Sequence, residues 1–447
     1  MPRRRGPVRK LLLMPLIAAT YFMVSGGPFG LEDLIGKAGY TLALLLLLVV
    51  PLVWSLPTSL MIGELASAIP SEGGFYAWVR RALGPFWGFQ ESWLSLSASV
   101  FDMAIYPRIF VDSLSHIRPA LTAGHRSIFW MLAVVLVCAI WNLRGAYSVG
   151  FGSVWFFALL LAPFALMSVL GVWQGIHTHS FGLLLQRAPA TDFTGALLFA
   201  LWNYMGWDNA STVAQEVEDP QRNYPRAMLS AAVLVAVTYI LPLAAVALYR
   251  IPADRFTSGA WADAAQVIGG RALALAVAFG GVLTGIGMFN AMSMSYTRLP
   301  FAMAEDGLLP RIFTRRFANG APWVSIIFCA AAWALALQFT FERLITMDLV
   351  LYGLSLILEF VALLVLRLRE PHMARPFRVP GGIAGVIAVG AGPTALILWA
   401  VYISRAERFA GISAFLFACL VAAGGAALYA LARLSLPASL PPPNPET

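Results

Sequence analysis

The stretches Ser25-Gly26-Gly27-Pro28-Phe29-Gly30 and Tyr204-Met205-Gly206-Trp207-Asp208-Asn209 interrupt two otherwise apolar runs, one in each half of the chain. Both runs are long enough to cross a bilayer, yet each holds glycine, and in the first case proline, where an α-helix tolerates them poorly. Lipid offers no partner to freed N–H and C=O groups, so backbone that leaves a helix at bilayer depth must be buried in protein or line a cavity. A matched pair of interrupted spans is the sequence mark of a secondary transporter with inverted repeats and a midplane site.

Composition agrees with a membrane location. Of 447 residues, 60% are apolar and 12% charged, and the mean hydropathy is +0.77, outside the usual range of soluble domains. A helical span takes about 20 mainly apolar residues. Twelve such stretches can be read, at residues 11–36, 41–62, 86–114, 128–143, 150–171, 195–217, 228–248, 272–297, 323–340, 344–366, 383–403 and 411–431. They are numbered helix 1 to helix 12 below. The connections leave no room for a separate domain.

Short cytoplasmic loops carry an excess of Lys and Arg. With the amino terminus inside, the inner segments hold nineteen basic residues and the outer loops ten, while Arg108 lies within helix 3. Both termini are therefore expected in the cytoplasm. The net charge of +8 follows from this bias and is no reason to invoke nucleic acid, which calls for a clustered basic face. Arg3, Arg4, Arg5, Arg9 and Lys10 imitate the start of a signal peptide, but the apolar run after them continues past its break and eleven more spans follow. Residues 1–10 are read as a basic cytoplasmic segment and residues 434–447, with their Pro-Pro-Pro-Asn-Pro run, as a disordered tail. Cys138, Cys329 and Cys419 fall in three different spans without metal spacing, so neither a metal nor another cofactor is expected.

Further motifs recur in order along the chain: Val24 to Asp33 around the first break, Gly84-Pro-Phe-Trp-Gly88 entering helix 3, Tyr106-Pro107, Gly206 to Thr212 with Glu216-Val-Glu-Asp-Pro220, Leu358-Glu-Phe360, and Arg375-Pro-Phe-Arg-Val-Pro380. Through these the chain resembles the amino acid/polyamine/organocation superfamily, most closely the branch of polyamine uptake transporters and L-type amino acid transporters. The resemblance implies an all-α integral membrane protein of twelve helices. Residues 11–176 and 192–366 would form two five-helix repeats of opposite topology, with helices 11 and 12 (383–433) added. It also implies alternating access around a site between helices 1, 3, 6, 8 and 10.

A charged carboxylate at mid-bilayer costs about 2.5 to 3.5 kcal/mol on insertion scales, so it asks for a partner, a proton or a cavity. Asp208 at the helix 6 break, Asp102 in helix 3 and Glu359 in helix 10 are the candidates taken from the sequence; the plain alternative for each is a hydrogen-bonded helix contact. In relatives that carry amino acids, the substrate carboxylate meets free N–H groups at the start of the outer half of helix 1, a positive dipole end. Here Glu32 and Asp33 stand in that first turn, where they would repel a carboxylate. With Asp208 they point to a cationic substrate such as putrescine or spermidine. Helix-terminal charge facing an outer vestibule is the competing account.

Aromatic rings attract an ammonium group most strongly where water is excluded. Phe29, Tyr106, Trp202, Tyr204 and Trp207 surround the two breaks and join Ser25, Gly26, Gly27, Gly30 and Gly206 as substrate-binding candidates. In the similar arginine/agmatine exchangers, the Trp four residues before the helix 6 glycine closes over substrate and the acid two residues after it responds to pH. Trp202 and Asp208 stand at those positions. Sodium-coupled relatives use two small hydroxyl residues in helix 8, where this chain has Tyr296-Thr297, and some proton-coupled ones use a Lys in helix 5, which is absent here. By elimination a buried carboxylate, Asp208 or Glu359, is the expected proton carrier, and membrane potential alone is a further driving force.

The leading expectation is thus a proton- or potential-driven importer of polyamines in the plasma membrane. An amino-acid permease or exchanger is the rival, and an intramembrane enzyme the remote one. His116, His125, His177, His179 and His372 fall in loops or at span ends and assemble no catalytic group. Oligomeric state stays open.

Overall fold

The computed structural model describes residues 10–185, 192–257, 259–405, 407–409 and 411–435. The basic segment before Lys10 and the chain after Ser435 fall outside the described residues, so the expectations for them carry no structural account. "Inner" denotes below the face that carries Lys10 and the end of helix 12, and "outer" the opposite face.

The chain is almost wholly helical. Helix 1 is Leu13–Val24, then a non-helical passage, then residues 32–38. Gly39, at φ 67° and ψ 174°, turns the chain into helix 2, which runs on through a π-turn at Pro51–Ser55 to Leu56–Ala68. Helix 3 is Pro85–Ile117, helix 4 Arg126–Asn142 and helix 5 Ala146–Thr178. Helix 6 begins as Phe193–Asn203 and helix 7 is Pro220–Leu248. Ala260–Tyr296 is bent at Gly270, which separates an outer helix, 260–269, from helix 8 proper. Helices 9 to 12 are Trp323–Leu335, Phe341–Arg369, Gly382–Ser404 and Ala414–Ser435. Two short helices, Phe75–Leu83 and Arg298–Glu305, lie on the inner side. The two-residue strands Arg408–Phe409 and Ile412–Ser413 pair antiparallel on the outer side. Among the described residues eight helical runs are long and apolar enough to cross a membrane, accompanied by the shorter apolar helices Leu13–Val24, Arg126–Asn142 and Trp323–Leu335. Large apolar side chains such as Leu136, Trp155, Leu166, Leu335, Leu420 and Leu431 stay exposed on the outside of the bundle, as a lipid-facing surface requires.

Helix pairings follow the repeat. Helix 3 packs on helix 8, and helix 2 on helix 7, so each of these pairs maps onto itself when helices 1–5 are exchanged with 6–10. The pairing of helix 3 with helix 10 exchanges with that of helix 8 with helix 5, and helix 1 with helix 7 exchanges with helix 6 with helix 2. Five helices per repeat is an odd number, so the second repeat enters the bundle from the opposite face.

The inner half of helix 6 departs from the sequence expectation of a helix through residue 217. It is formed by 3-10 turns at Asp208–Thr212 and Ala214–Glu216. The backbone groups freed by this change find partners in neighbouring segments: Leu11 N donates to Glu216 O at 2.7 Å, Glu218 N to Leu11 O at 2.9 Å, and Gly73 N to Thr212 O at 3.1 Å. Non-helical backbone at this depth is tolerated because protein, not lipid, surrounds it.

Candidate substrate site

The two breaks meet. Gly206 has φ 89°, a conformation that favours glycine, and an added Cβ there would overlap the Met23 carbonyl oxygen at the end of the first half of helix 1. Gly26 sits equally close to Thr284 and Met288 of helix 8, and the Thr284 hydroxyl donates to its carbonyl at 2.7 Å. The other loosened groups of helix 1 are also partnered. Gly27 N donates to Ser25 Oγ at 3.1 Å, Trp261 Nε1 to Pro28 O at 2.8 Å and Asn203 Nδ2 to Gly30 O at 3.1 Å. Gly30 N donates to the Glu32 carboxylate at 2.7 Å. The chain's own acid thus occupies a donor of the kind that receives an amino-acid carboxylate.

Between the breaks and helices 3, 8 and 10 lies a small cavity of ≈ 20 Å³, room for about one ordered water. Its lining residues are buried. Of the sequence candidates, Gly26, Phe29, Asp102, Tyr106, Trp202 and Gly206 line it. A second carboxylate, Asp348 of helix 10, lines it too, with Tyr239, Tyr296 and Tyr352, and none of the described lining residues is basic. Asp102 accepts from Tyr106 at 2.5 Å and from Tyr296 at 3.4 Å, and Asp348 accepts from the Trp202 indole. Trp202 stands against Gly30, so one ring spans the space between the helix 1 break and helix 10.

Other candidates lie elsewhere. Gly30 and Glu32, with Asp33, Asp112 and Phe29, line a separate outer pocket, so Phe29 divides the two spaces. Ser25 and Gly27 bond to each other. Tyr204 is turned away to donate to Leu47 O at 2.9 Å, and the Trp207 indole donates to Tyr204 O at 2.8 Å; both rings are fully buried packing around the break. Asp208 accepts from the Tyr352 hydroxyl at 2.5 Å, which in turn accepts from Gly206 N at 3.1 Å. Tyr352, rather than Asp208, therefore faces the cavity. Glu359 lies deeper on helix 10, fully buried.

Two further acids lie at depth beyond Asp102, Asp208 and Glu359: Asp348 and Glu91, both buried. Asp348 was within reach, since it falls inside the apolar stretch 344–366 and one helical turn before Tyr352. Tyr296 fills the place where a second small hydroxyl would serve sodium and is engaged with Asp102. The hydroxyl of Thr297 donates to Ser293 O, and that of Ser295 to Asn209 Oδ1.

The inner side is closed by ion pairs. Arg298, buried at the end of helix 8, donates to Glu216 Oε1 at 2.7 Å. Arg316 bridges Glu72 at 2.9 Å and Glu305 at 2.8 Å, and burial pushes the Glu72 carboxyl above its usual range against the pull of Arg316. On the outer side Asp192 accepts from Gly195 N at 2.8 Å, capping helix 6, and pairs with Lys37 at 3.1 Å. The Gly195 N–H and then the Lys37 ammonium hold this carboxyl below its usual range.

Comparison with known proteins agrees with this architecture. The amino acid permease family model matches residues 16–422. Polyamine transporter PUT1 of Oryza sativa subsp. japonica is 37% identical over 398 residues, 87% of this chain and 73% of that protein. Polyamine transporter RMV1 of Arabidopsis thaliana is 32% identical over 396 residues, 88% of this chain and 81% of that one. The crystal structure of MhsT in complex with L-phenylalanine shares the fold, with a TM-score of 0.65 at 14% identity over 89% of this chain and 99% of that one. With its broken helices, the buried cavity between them and these relatives, the chain belongs to the amino acid permease family of the amino acid/polyamine/organocation superfamily and is a multi-pass membrane transporter, not an enzyme.

Proposed function

We propose that this transporter imports cationic organic amines, polyamines such as putrescine or spermidine, across the plasma membrane by alternating access, with both termini in the cytoplasm and an inward proton gradient or the membrane potential as driving force. The observation that carries the reading is the cavity lining: two carboxylates, Asp102 and Asp348, among Phe29, Tyr106, Trp202, Tyr296 and Tyr352, with no basic residue among those described. An ammonium group gains from each carboxylate and from ring faces in a water-poor space. A carboxylate would meet repulsion there, and the Gly30 N–H already holds Glu32. The names of the plant relatives support the same substrate class.

Each positive charge entering an inside-negative cell gains about 2.3 kcal/mol per 100 mV, so a polyamine is drawn inward even without a coupled ion. Asp208 and Glu359 are the proposed proton carriers when a proton gradient contributes. The test is uptake of radiolabelled spermidine into proteoliposomes, with and without an inward proton gradient, for wild type, Asp102→Asn and Asp208→Asn. Accumulation by wild type and its loss in Asp102→Asn supports the reading. No spermidine uptake by wild type alongside free exchange of leucine or arginine overturns it in favour of an amino-acid carrier.

A further inference from the structure

Asp348, Tyr352, Ser355 and Glu359 recur on helix 10 at steps of four, three and four residues, which puts them on one face. Helix 3, packed against helix 10, carries Glu91, Ser95, Asp102 and Tyr106 at steps of four, seven and four. Every one of these side chains is buried. The acids of the two stripes are spaced alike: Glu91 lies eleven residues inward of Asp102, and Glu359 eleven inward of Asp348, a rise of about 16 Å in each helix. The outer acids, Asp102 and Asp348, line the substrate cavity. The inner members lie well below it and belong to no part of the substrate site.

Glu91 and Glu359 form the inner end of this seam. Glu91 accepts from Ser95 Oγ at 2.9 Å and from Ser92 Oγ at 3.2 Å, while neither oxygen of Glu359 has a hydrogen-bond partner. The groups that act electrostatically on Glu359 are Asp208 at the helix 6 break and Glu91 on helix 3, and Glu359 in turn acts on Tyr352 of its own helix. Helix 11, on its other flank, brings no ionisable residue before Tyr402, and helix 12 brings Cys419, Tyr429 and Arg433. The inner helix Phe75–Leu83 also packs on helix 10, but its Tyr76 and Arg80 are taken up by Asp306 and its Arg81 by Glu370. From helix 2 comes Glu64, and it takes up both Arg367 and Arg375, so these cations do not serve Glu359. Two buried acids at matching register on packed helices, with no cation among the described groups that act on them, call for a positive ligand. A metal ion demands several converging oxygens, whereas Glu91 already spends both of its oxygens on serines and no cluster of metal-binding residues occurs among those described. A proton needs only one lone pair.

We propose that Glu359 and Glu91 share a proton on the inner side of the substrate cavity, joined to the cavity through Asp208 and Tyr352, so that proton and substrate travel in separate sites. This deepens the proton-driven reading above and rests on it. With Glu359 and Glu91 exposed once the inner side opens, the proton leaves to the cytoplasm.

The test compares wild type, Glu359→Gln and Glu91→Gln in proteoliposomes loaded with spermidine or with L-serine. Two transport modes are read: counterflow, which needs no net proton movement, and uphill uptake driven by an inward gradient of about one pH unit, which concentrates substrate about tenfold per coupled proton. Glu359→Gln is expected to retain counterflow and to lose the tenfold accumulation together with substrate-induced proton entry, and Glu91→Gln to shift the pH at which uptake is half-maximal. In parallel, infrared difference spectra of the purified protein over a pH titration should show a protonated-carboxyl stretch that Glu359→Gln lacks, a readout that needs no substrate. Wild-type-like proton-driven accumulation by Glu359→Gln, or an unchanged carboxyl band, overturns the proposal. If serine rather than spermidine is carried, the substrate reading fails while the serine arm and the spectra still decide the proton site.

Discussion

The Tyr352 hydroxyl donates to Asp208 at 2.5 Å and at the same time accepts the Gly206 N–H at 3.1 Å. One side chain of helix 10 thereby holds both the acid and the loosened backbone of the helix 6 break. Removing it by Tyr352→Phe leaves a buried N–H without its acceptor, which costs about 1 to 3 kcal/mol. We expect transport to slow by about tenfold or more, since 1.4 kcal/mol is a factor of ten, with the protein still folded. Wild-type initial rates in Tyr352→Phe would show that the hydroxyl plays no part in holding the break.

The two cavity carboxylates should contribute separately. Hydrogen bonds to charged groups are worth about 1.5 to 3 kcal/mol, so Asp102→Asn and Asp348→Asn are each expected to raise the KM for spermidine by roughly ten- to a hundredfold. Putrescine and spermidine titrations on both variants check this. An effect of only one substitution would remove the other acid from the substrate site.

Gly206→Ala tests the contact between breaks. An added Cβ would overlap the Met23 carbonyl oxygen at a backbone conformation with φ 89° that disfavours side chains. The variant should fail to yield monodisperse protein, or yield it with strongly reduced thermal stability in detergent. Gly320→Ala, also at positive φ but with open space around it, is the milder control.

The ion pair of buried Arg298 and partly exposed Glu216 ties helix 8 to the inner end of helix 6. Hydrogen bonds between charged groups are worth about 1.5 to 3 kcal/mol, so Arg298→Ala should lower thermal stability and raise labelling of a cysteine placed in the cavity from the inner side. Unchanged labelling would mean that the pair does not close this side.

Asp192 supplies a pH prediction. Its carboxyl is held below its usual range in the folded protein by the Gly195 N–H and Lys37, so the unfolded chain binds the proton first as pH falls below the usual carboxylate value of 3.8. The stabilisation is therefore complete above that value and is lost as pH drops through the folded-state value. Asp192→Ala should cost about 1 kcal/mol at neutral pH, typical of a lost helix cap, and the gap to wild type should narrow in acid. Melting curves over an acidic pH series measure it.

Much of this architecture was legible in the residues. The clustered glycines and proline of 25–30 and the glycine at 206 are tolerated poorly in regular helix, and only a protein-lined cavity can receive the backbone they release, so the positions of the breaks, the helical class and the depth of the site follow from local chemistry and the properties of lipid. Phe29, Asp102, Tyr106 and Trp202 were identifiable because each lies on or near a break or bears charge at depth. The inner half of helix 6 was not, because its 3-10 turns depend on Leu11 and Gly73, which reach it only through the fold.

What the chain determined by itself is the all-helical membrane-spanning class and the place of the two breaks, because burial of backbone polar groups is a local requirement. Which acids face the cavity was decided only by tertiary packing. Asp208 adjoins the break in sequence yet is drawn to Tyr352, while Asp348, far from either break in sequence, is rotated into the cavity with Asp102. A side chain's direction is set by how its helix is rotated against its neighbours. That rotation is fixed by contacts between helices far apart in the sequence.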